Sequence, residues 1–212
     1  ACEASGRNPD EITLVGASKT KSAEIINEAL ENGLDTIGEN RVQELTEKYP
    51  DIKKGTHIHL IGHLQTNKVK YIIDKVELIH SVDSEHLAKE ISHCAEKHGL
   101  TMNVLVQVNV SGEESKSGIA PENLDSLLEY IDTLDNIKVL GLMTIPPLDN
   151  ESLEESRKIF RELKRIFETE KTNRYKNTEM KILSMGMTND YTVAVEEGAT
   201  MVRVGRAIFG DR

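Results

Sequence analysis

Lys19 stands at the end of a short apolar run, in Gly16-Ala17-Ser18-Lys19-Thr20-Lys21. An amine at a strand's C-terminal edge can be partly desolvated, which lowers its pKa and leaves it neutral enough to attack a carbonyl and form an imine. Lys19 and Lys21 are equally compatible with solvated loop lysines. A second stretch, Ser184-Met185-Gly186-Met187-Thr188-Asn189-Asp190, leads into a helical pattern. Its small and hydroxyl residues suit a phosphate, which helix N-termini and free backbone N–H groups attract. Plain capping of that helix by Thr188, Asn189 or Asp190 explains the same residues. A third, Val202-Arg203-Val204-Gly205-Arg206-Ala207-Ile208-Phe209-Gly210, places Arg203 between two valines and so on an inward face. A buried guanidinium needs a partner, either a core carboxylate or a ligand atom. Gly38-Glu39-Asn40-Arg41 offers one more polar strand end.

His57, His59 and His63 lie close together in His57-Ile58-His59-Leu60-Ile61-Gly62-His63. No Asp, Glu or Cys in that stretch completes a ligand set, and the spacing fits no usual zinc motif, so no metal is expected. The chain has no GxSxG elbow, Walker loop or GxGxxG after its first strand, which argues against a serine hydrolase, a P-loop enzyme or a dinucleotide dehydrogenase.

The elements that must position these residues alternate from end to end. Strand patterns are read at 12–17, 34–37, 57–61, 76–82, 104–110, 139–144, 181–184 and 201–204. Helical patterns fall between them, at 23–30, 40–48, 68–73, 84–98, 121–134, 153–167 and 191–197. Alternation of this kind implies a parallel sheet, and eight strands imply closure into a single (β/α)8 TIM-type barrel; an open doubly wound sheet is the other arrangement. In a barrel the chemistry sits where strands end, and phosphate sites commonly use the loops after strands seven and eight. The Ser184 and Arg203 stretches then converge.

Formal net charge is -10, from 36 acidic and 26 basic residues, a balance that repels nucleic acid and anionic membranes. No apolar run approaches the roughly 20 residues of a membrane span. Cys2 and Cys94 have no framework spacing, which suits the reducing cytoplasm. Residues 1–212 read as one domain, and Ala1 to Arg7 as the end of a helix cut short at its N-terminus.

The segments ASKTK, IGENRVQE, HLIGHLQTNK, QVNVSGEESKSG, GLMTI, LSMGMTND and MVRVGRAIFG, in that order over essentially the whole chain, resemble the pyridoxal phosphate homeostasis protein family. The resemblance implies the fold of the alanine racemase N-terminal barrel and pyridoxal 5'-phosphate (PLP) as cofactor. It implies that Lys19 forms the internal aldimine, that Arg203 faces the pyridine nitrogen and that Asn40 lies beside the ring. Ser184 and the backbone around Gly205 and Arg206 would hold the phosphate, and Gly186 belongs to the same expected set. Arg206 departs from the small hydroxyl residue often found there. A charged guanidinium at the pyridine nitrogen disfavours its protonation and weakens the cofactor as an electron sink. The expectation is a monomeric protein that stores PLP and hands it to PLP-requiring apo-enzymes, without a committed reaction. A small PLP-dependent amino-acid racemase is the alternative, and a cofactor-free aldolase or isomerase a third. Lys116, between Gly112 and Gly118, reads equally as a solvated loop lysine paired with Glu113 or Glu114 and as part of a loop gating the barrel mouth.

Overall fold

The computed structural model describes residues 1–113, 117–147, 152–172 and 175–210. Eight parallel strands close on themselves in chain order: β1 (Thr13–Ala17), β2 (Thr36–Glu39), β3 (His57–Leu60), β4 (Leu78–Val82), β5 (Met102–Gln107), β6 (Ile137–Met143), β7 (Thr178–Met187) and β8 (Met201–Val204). β1 pairs with both β2 and β8, so the sheet has no edge. Closure decides against the open sheet.

The helices are α1 (Cys2–Ser5), α2 (Ala23–Glu31), α3 (Val42–Lys48), α4 (Glu85–Lys97), α5 (Leu124–Asp132), α6 (Leu153–Glu170), α7 (Tyr191–Glu196) and α8 (Arg206–Phe209). Ser84 caps α4 by accepting from the Leu87 N–H, which satisfies one of the donors a helix start leaves open. In α6, Phe160, Leu163 and Phe167 recur at helical spacing and are buried, while Arg157 and Arg161 on its surface bind Glu197. Among the described residues no helix is long and apolar enough to cross a membrane.

Several strand limits differ from those read in the sequence. β5 stops at Gln107 although Val108 and Val110 continue the apolar run. Asn109 ends it: its side-chain oxygen accepts from the Ser111 hydroxyl and the Gly112 N–H and turns the chain away. β7 runs well past Lys181–Ser184 on both sides, with register shifts that let a longer strand stay paired. The stretch at 68–73 is a 3-10 helix over Thr66–Tyr71.

Apolar burial forms two layers. The larger lies between strands and helices; the smaller fills part of the barrel interior with Val15, Ile61, Leu78, Leu105, Met143 and Met201. The rest of the interior is polar, because His59, His80, Gln107, Ser184 and Arg203 are also buried. Barrel interiors are ordinarily layered with branched hydrocarbon, so this departure marks where function has displaced packing.

Candidate cofactor site

The C-terminal ends of β1, β2, β7 and β8 bring the sequence-predicted residues to one mouth. Ala17 pairs with Gly38 and Gly16 with Val204, so Lys19, Asn40 and Gly205 leave neighbouring strands at about the same level. Lys19 is exposed and has no hydrogen bond or ion pair among the described residues. The chain around it is held firmly. Ser18 is buried, and its hydroxyl donates to Glu39 Oε1 at 2.7 Å. Lys48 Nζ donates to the same oxygen at 3.0 Å and to the Ser18 carbonyl at 3.3 Å. Burial pushes the Glu39 carboxyl up, against the lowering by Ser18 and Lys48.

Thr20, the residue after Lys19, has φ 65, a conformation costly for a β-branched side chain. Its N–H donates to Glu44 Oε2 at 2.8 Å, the largest cause holding the Glu44 carboxyl below its usual range. Glu44 and Lys48 do not stand out in the sequence, and Glu39 and Thr20 do so only as members of the 38–41 and 16–21 stretches. The Glu44–Lys48 pair at helical spacing is the signal that could have found them.

Arg203 faces inward, as its flanking valines require, and is buried. Its NH1 donates to Ser184 Oγ at 2.6 Å and its NH2 to the Thr144 carbonyl at 2.9 Å. Neither acceptor is a carboxylate, and no acceptor among the described residues takes its remaining donors. Burial pushes its pKa down to about 10, so it is still charged at neutral pH. Ser184 lies beneath it, with its hydroxyl also 3.1 Å from His80 Nδ1. His80 Nε2 is in turn 3.1 Å from His59 Nδ1.

Gly186 has φ 91, and a Cβ there would meet the Ala194 Cβ at 2.5 Å; only glycine lets β7 pass α7 this closely. Gly205 packs its open face on β1, where a Cβ would stand 3.2 Å from the Ala17 carbonyl oxygen. Its N–H reaches Thr188 Oγ1 at 3.3 Å, and Arg206 NH2 donates to Asn189 Oδ1 at 2.9 Å. These bonds join the β7 and β8 loops. Arg206 therefore points its side chain at the neighbouring loop, and Thr188 is a site candidate the sequence offered only as a helix cap. Asn40 Oδ1 is shut from solvent with no partner among the described residues, an arrangement that calls for a donor from elsewhere.

The three clustered histidines diverge. His57 pairs with Glu77 at 2.7 Å, His59 turns into the barrel toward His80, and His63 is exposed. Among the described residues no group of three or more His, Cys, Asp and Glu could hold a metal ion. Lys116 lies outside the described residues.

Burial pushes His59 down to about 4 and His80 well below its ordinary range. Both are neutral in the fold, while in the unfolded chain they take up protons below pH 6.5. Stability is therefore full above pH 6.5 and falls as pH drops toward about 4, by about 3 kcal/mol for His59 alone. Urea unfolding across that window is expected to show a shallower acid loss in His59→Gln than in the parent. Parallel curves would contradict it.

A closed barrel with its polar constellation at the C-terminal mouth has a clear class. The family model described as "Alanine racemase, N-terminal domain" matches residues 16–212, and the chain belongs to that barrel class. Within it, the chain belongs to the pyridoxal phosphate homeostasis protein family. It is 50% identical over 213 residues to the pyridoxal phosphate homeostasis protein of Aquifex aeolicus, covering 100% of this chain and 92% of the relative. It is 38% identical over 216 residues to that of Haemophilus influenzae, covering 100% and 90%. PipY of Synechococcus elongatus, solved with PLP bound, superposes with a TM-score of 0.86 at 31% identity, over 99% of this chain and 97% of PipY.

Proposed function

We propose that this protein holds PLP at the C-terminal mouth as a Schiff base on Lys19 and releases it to apo-enzymes, with no committed reaction of its own. The observation that carries this reading is the placing of Lys19, two residues beyond the end of β1, next to β8, whose Arg203 pairs with Val15 of β1 and faces inward, in a family of which PipY has been solved with PLP bound. The cofactor supplies an aldehyde for the lysine and a pyridine ring that can act as an electron sink. Lys19 supplies the amine, and the bonds to Ser18 and Thr20 hold its loop. Asn40, whose side-chain oxygen is unsatisfied, would lie beside the ring. Gly186, Gly205 and Arg206 would hold the phosphate through backbone donors and, at Arg206, a charge. Ser184 contributes its hydroxyl at the Arg203 side of the site.

Arg203 supports holding the cofactor rather than carbanion chemistry. It accepts no proton and offers only donors, so a pyridine nitrogen beside it stays unprotonated and stabilises a carbanion poorly. In this reading the protein works as a monomer in the cytoplasm, with PLP and PLP-requiring apo-enzymes as partners and neither nucleic acid nor membrane among them. Incubating the PLP-loaded protein with D- and L-alanine is expected to give interconversion no faster than free PLP gives, while an apo-enzyme mixed with it gains activity. Sustained racemisation by the protein would overturn the non-catalytic assignment.

A further inference from the structure

Lys19 occupies one corner of a four-residue turn, Ser18 to Lys21, closed by the Lys21 N–H donating to the Ser18 carbonyl at 3.1 Å. Thr20 is the other corner, at φ 65, and among the described residues no other residue except glycine has a positive φ. Negative φ at the first corner and positive φ at the second is the pattern of a type II turn, whose second corner is ordinarily glycine or asparagine. Threonine fits poorly there, because its β-branched side chain crowds the backbone. That side chain is exposed and makes no hydrogen bond among the described residues, so it does not offset the cost itself.

A type I turn over the same residues would suit threonine better, with negative φ at both corners. The two types differ mainly in which way the peptide between the corners faces. Here that peptide joins Lys19 to Thr20, and its N–H donates to Glu44 Oε2 at 2.8 Å. In the type I orientation the N–H turns away from Glu44 and the bond is lost. Glu44 therefore favours the turn that threonine by itself disfavours.

Glu44 is itself held. It projects from α3, and Lys48 Nζ, one helical turn on, lies 3.5 Å from the same Oε2. Lys48 also donates to Glu39 Oε1 at 3.0 Å and to the Ser18 carbonyl at 3.3 Å. These three acceptors match the three donors of an ammonium. One cation thus ties the first residue of the turn to the carboxylate that holds its second corner, and Lys19 stands between the two.

We propose that Glu44, steadied by Lys48, is a positioning residue that fixes the Lys19–Thr20 peptide in the orientation from which the Lys19 amine meets the aldehyde. Glu44 acts through the backbone of Thr20 and not on the cofactor. This role rests on the PLP reading above. Without Glu44 the turn divides its time between the two orientations, and apparent affinity falls with the fraction of chains in the competent one. The cost of a left-handed threonine corresponds to a bias of about tenfold.

Affinity is read from the visible band as the full chain is titrated with PLP and, separately, with pyridoxal, which has the aldehyde and no phosphate. Glu44→Ala is expected to weaken both by about tenfold. Glu44→Asp keeps the charge but falls one methylene short of Thr20, and is expected to lose as much. With two variants the test does not depend on either one folding. Glu44→Gln keeps a carbonyl oxygen for the Thr20 N–H and is expected to stay within about twofold of the parent. Thr20→Gly provides the rescue, because glycine adopts a positive φ without steric cost. In that background Glu44→Ala is expected to lose no more than about twofold, a recovery that general destabilisation of α3 would not give. Parent affinity in Glu44→Ala and Glu44→Asp, a loss confined to PLP, or an undiminished loss in the Thr20→Gly background would each overturn the role of Glu44 alone. Absence of the band in the parent refutes the PLP reading and this role with it.

Discussion

Lys19→Ala is expected to abolish the visible absorbance that PLP gains on binding, while the protein remains folded. The side chain is exposed and has no partner among the described residues, so its loss removes no contact from the fold. Ser18, Glu39 and Lys48 hold the loop without it. The effect is all-or-none, because no hydrogen bond replaces a covalent imine. Retention of the parent's spectrum by Lys19→Ala would move the attachment to another lysine, Lys21 first.

Arg203→Leu is the second large effect, and it falls on both stability and affinity. The guanidinium satisfies the buried Ser184 hydroxyl and the Thr144 carbonyl. Leucine leaves both without that donor, at a cost of about 1–3 kcal/mol for each buried polar group. Relief of the buried charge, seen in the lowered Arg203 pKa, offsets part of this loss. Net destabilisation of about 2 kcal/mol is expected from urea unfolding. On the proposed reading PLP affinity is expected to fall about tenfold or more, since the pyridine side of the site would lose its charge and Ser184 its anchor. Unchanged PLP affinity in a variant that still unfolds cooperatively would remove Arg203 from the site.

The parts of this architecture that depend on local pattern were legible in the sequence. Alternating apolar runs gave the strand and helix order, and Val202 and Val204 showed that Arg203 points inward. Met201–Val204 coincides with the expected strand because its neighbours, Thr200 and Gly205, both interrupt the run. The end of β5 is not legible, because Val108 and Val110 have strand character whereas the Asn109 side chain decides the turn. The polar chain through the barrel could not be read from spacing. Along the chain His59 stands with His57 and His63. Its partner His80 is on the next strand, and Ser184 lies 104 residues beyond His80. β3 and β4 are paired neighbours, and closure of the barrel brings β7 across to face them. Lys48 is similar: it reads as a helix-surface residue paired with Glu44, and the fold turns it onto the buried Glu39.

The most direct test of the account is the mass of the chain after PLP loading and borohydride reduction, followed by fragmentation of the peptide that carries the adduct. The account predicts one phosphopyridoxyl group per chain, on Lys19. A reduced adduct on Lys21 or Lys48 with none on Lys19, or no adduct at saturating PLP, would contradict it.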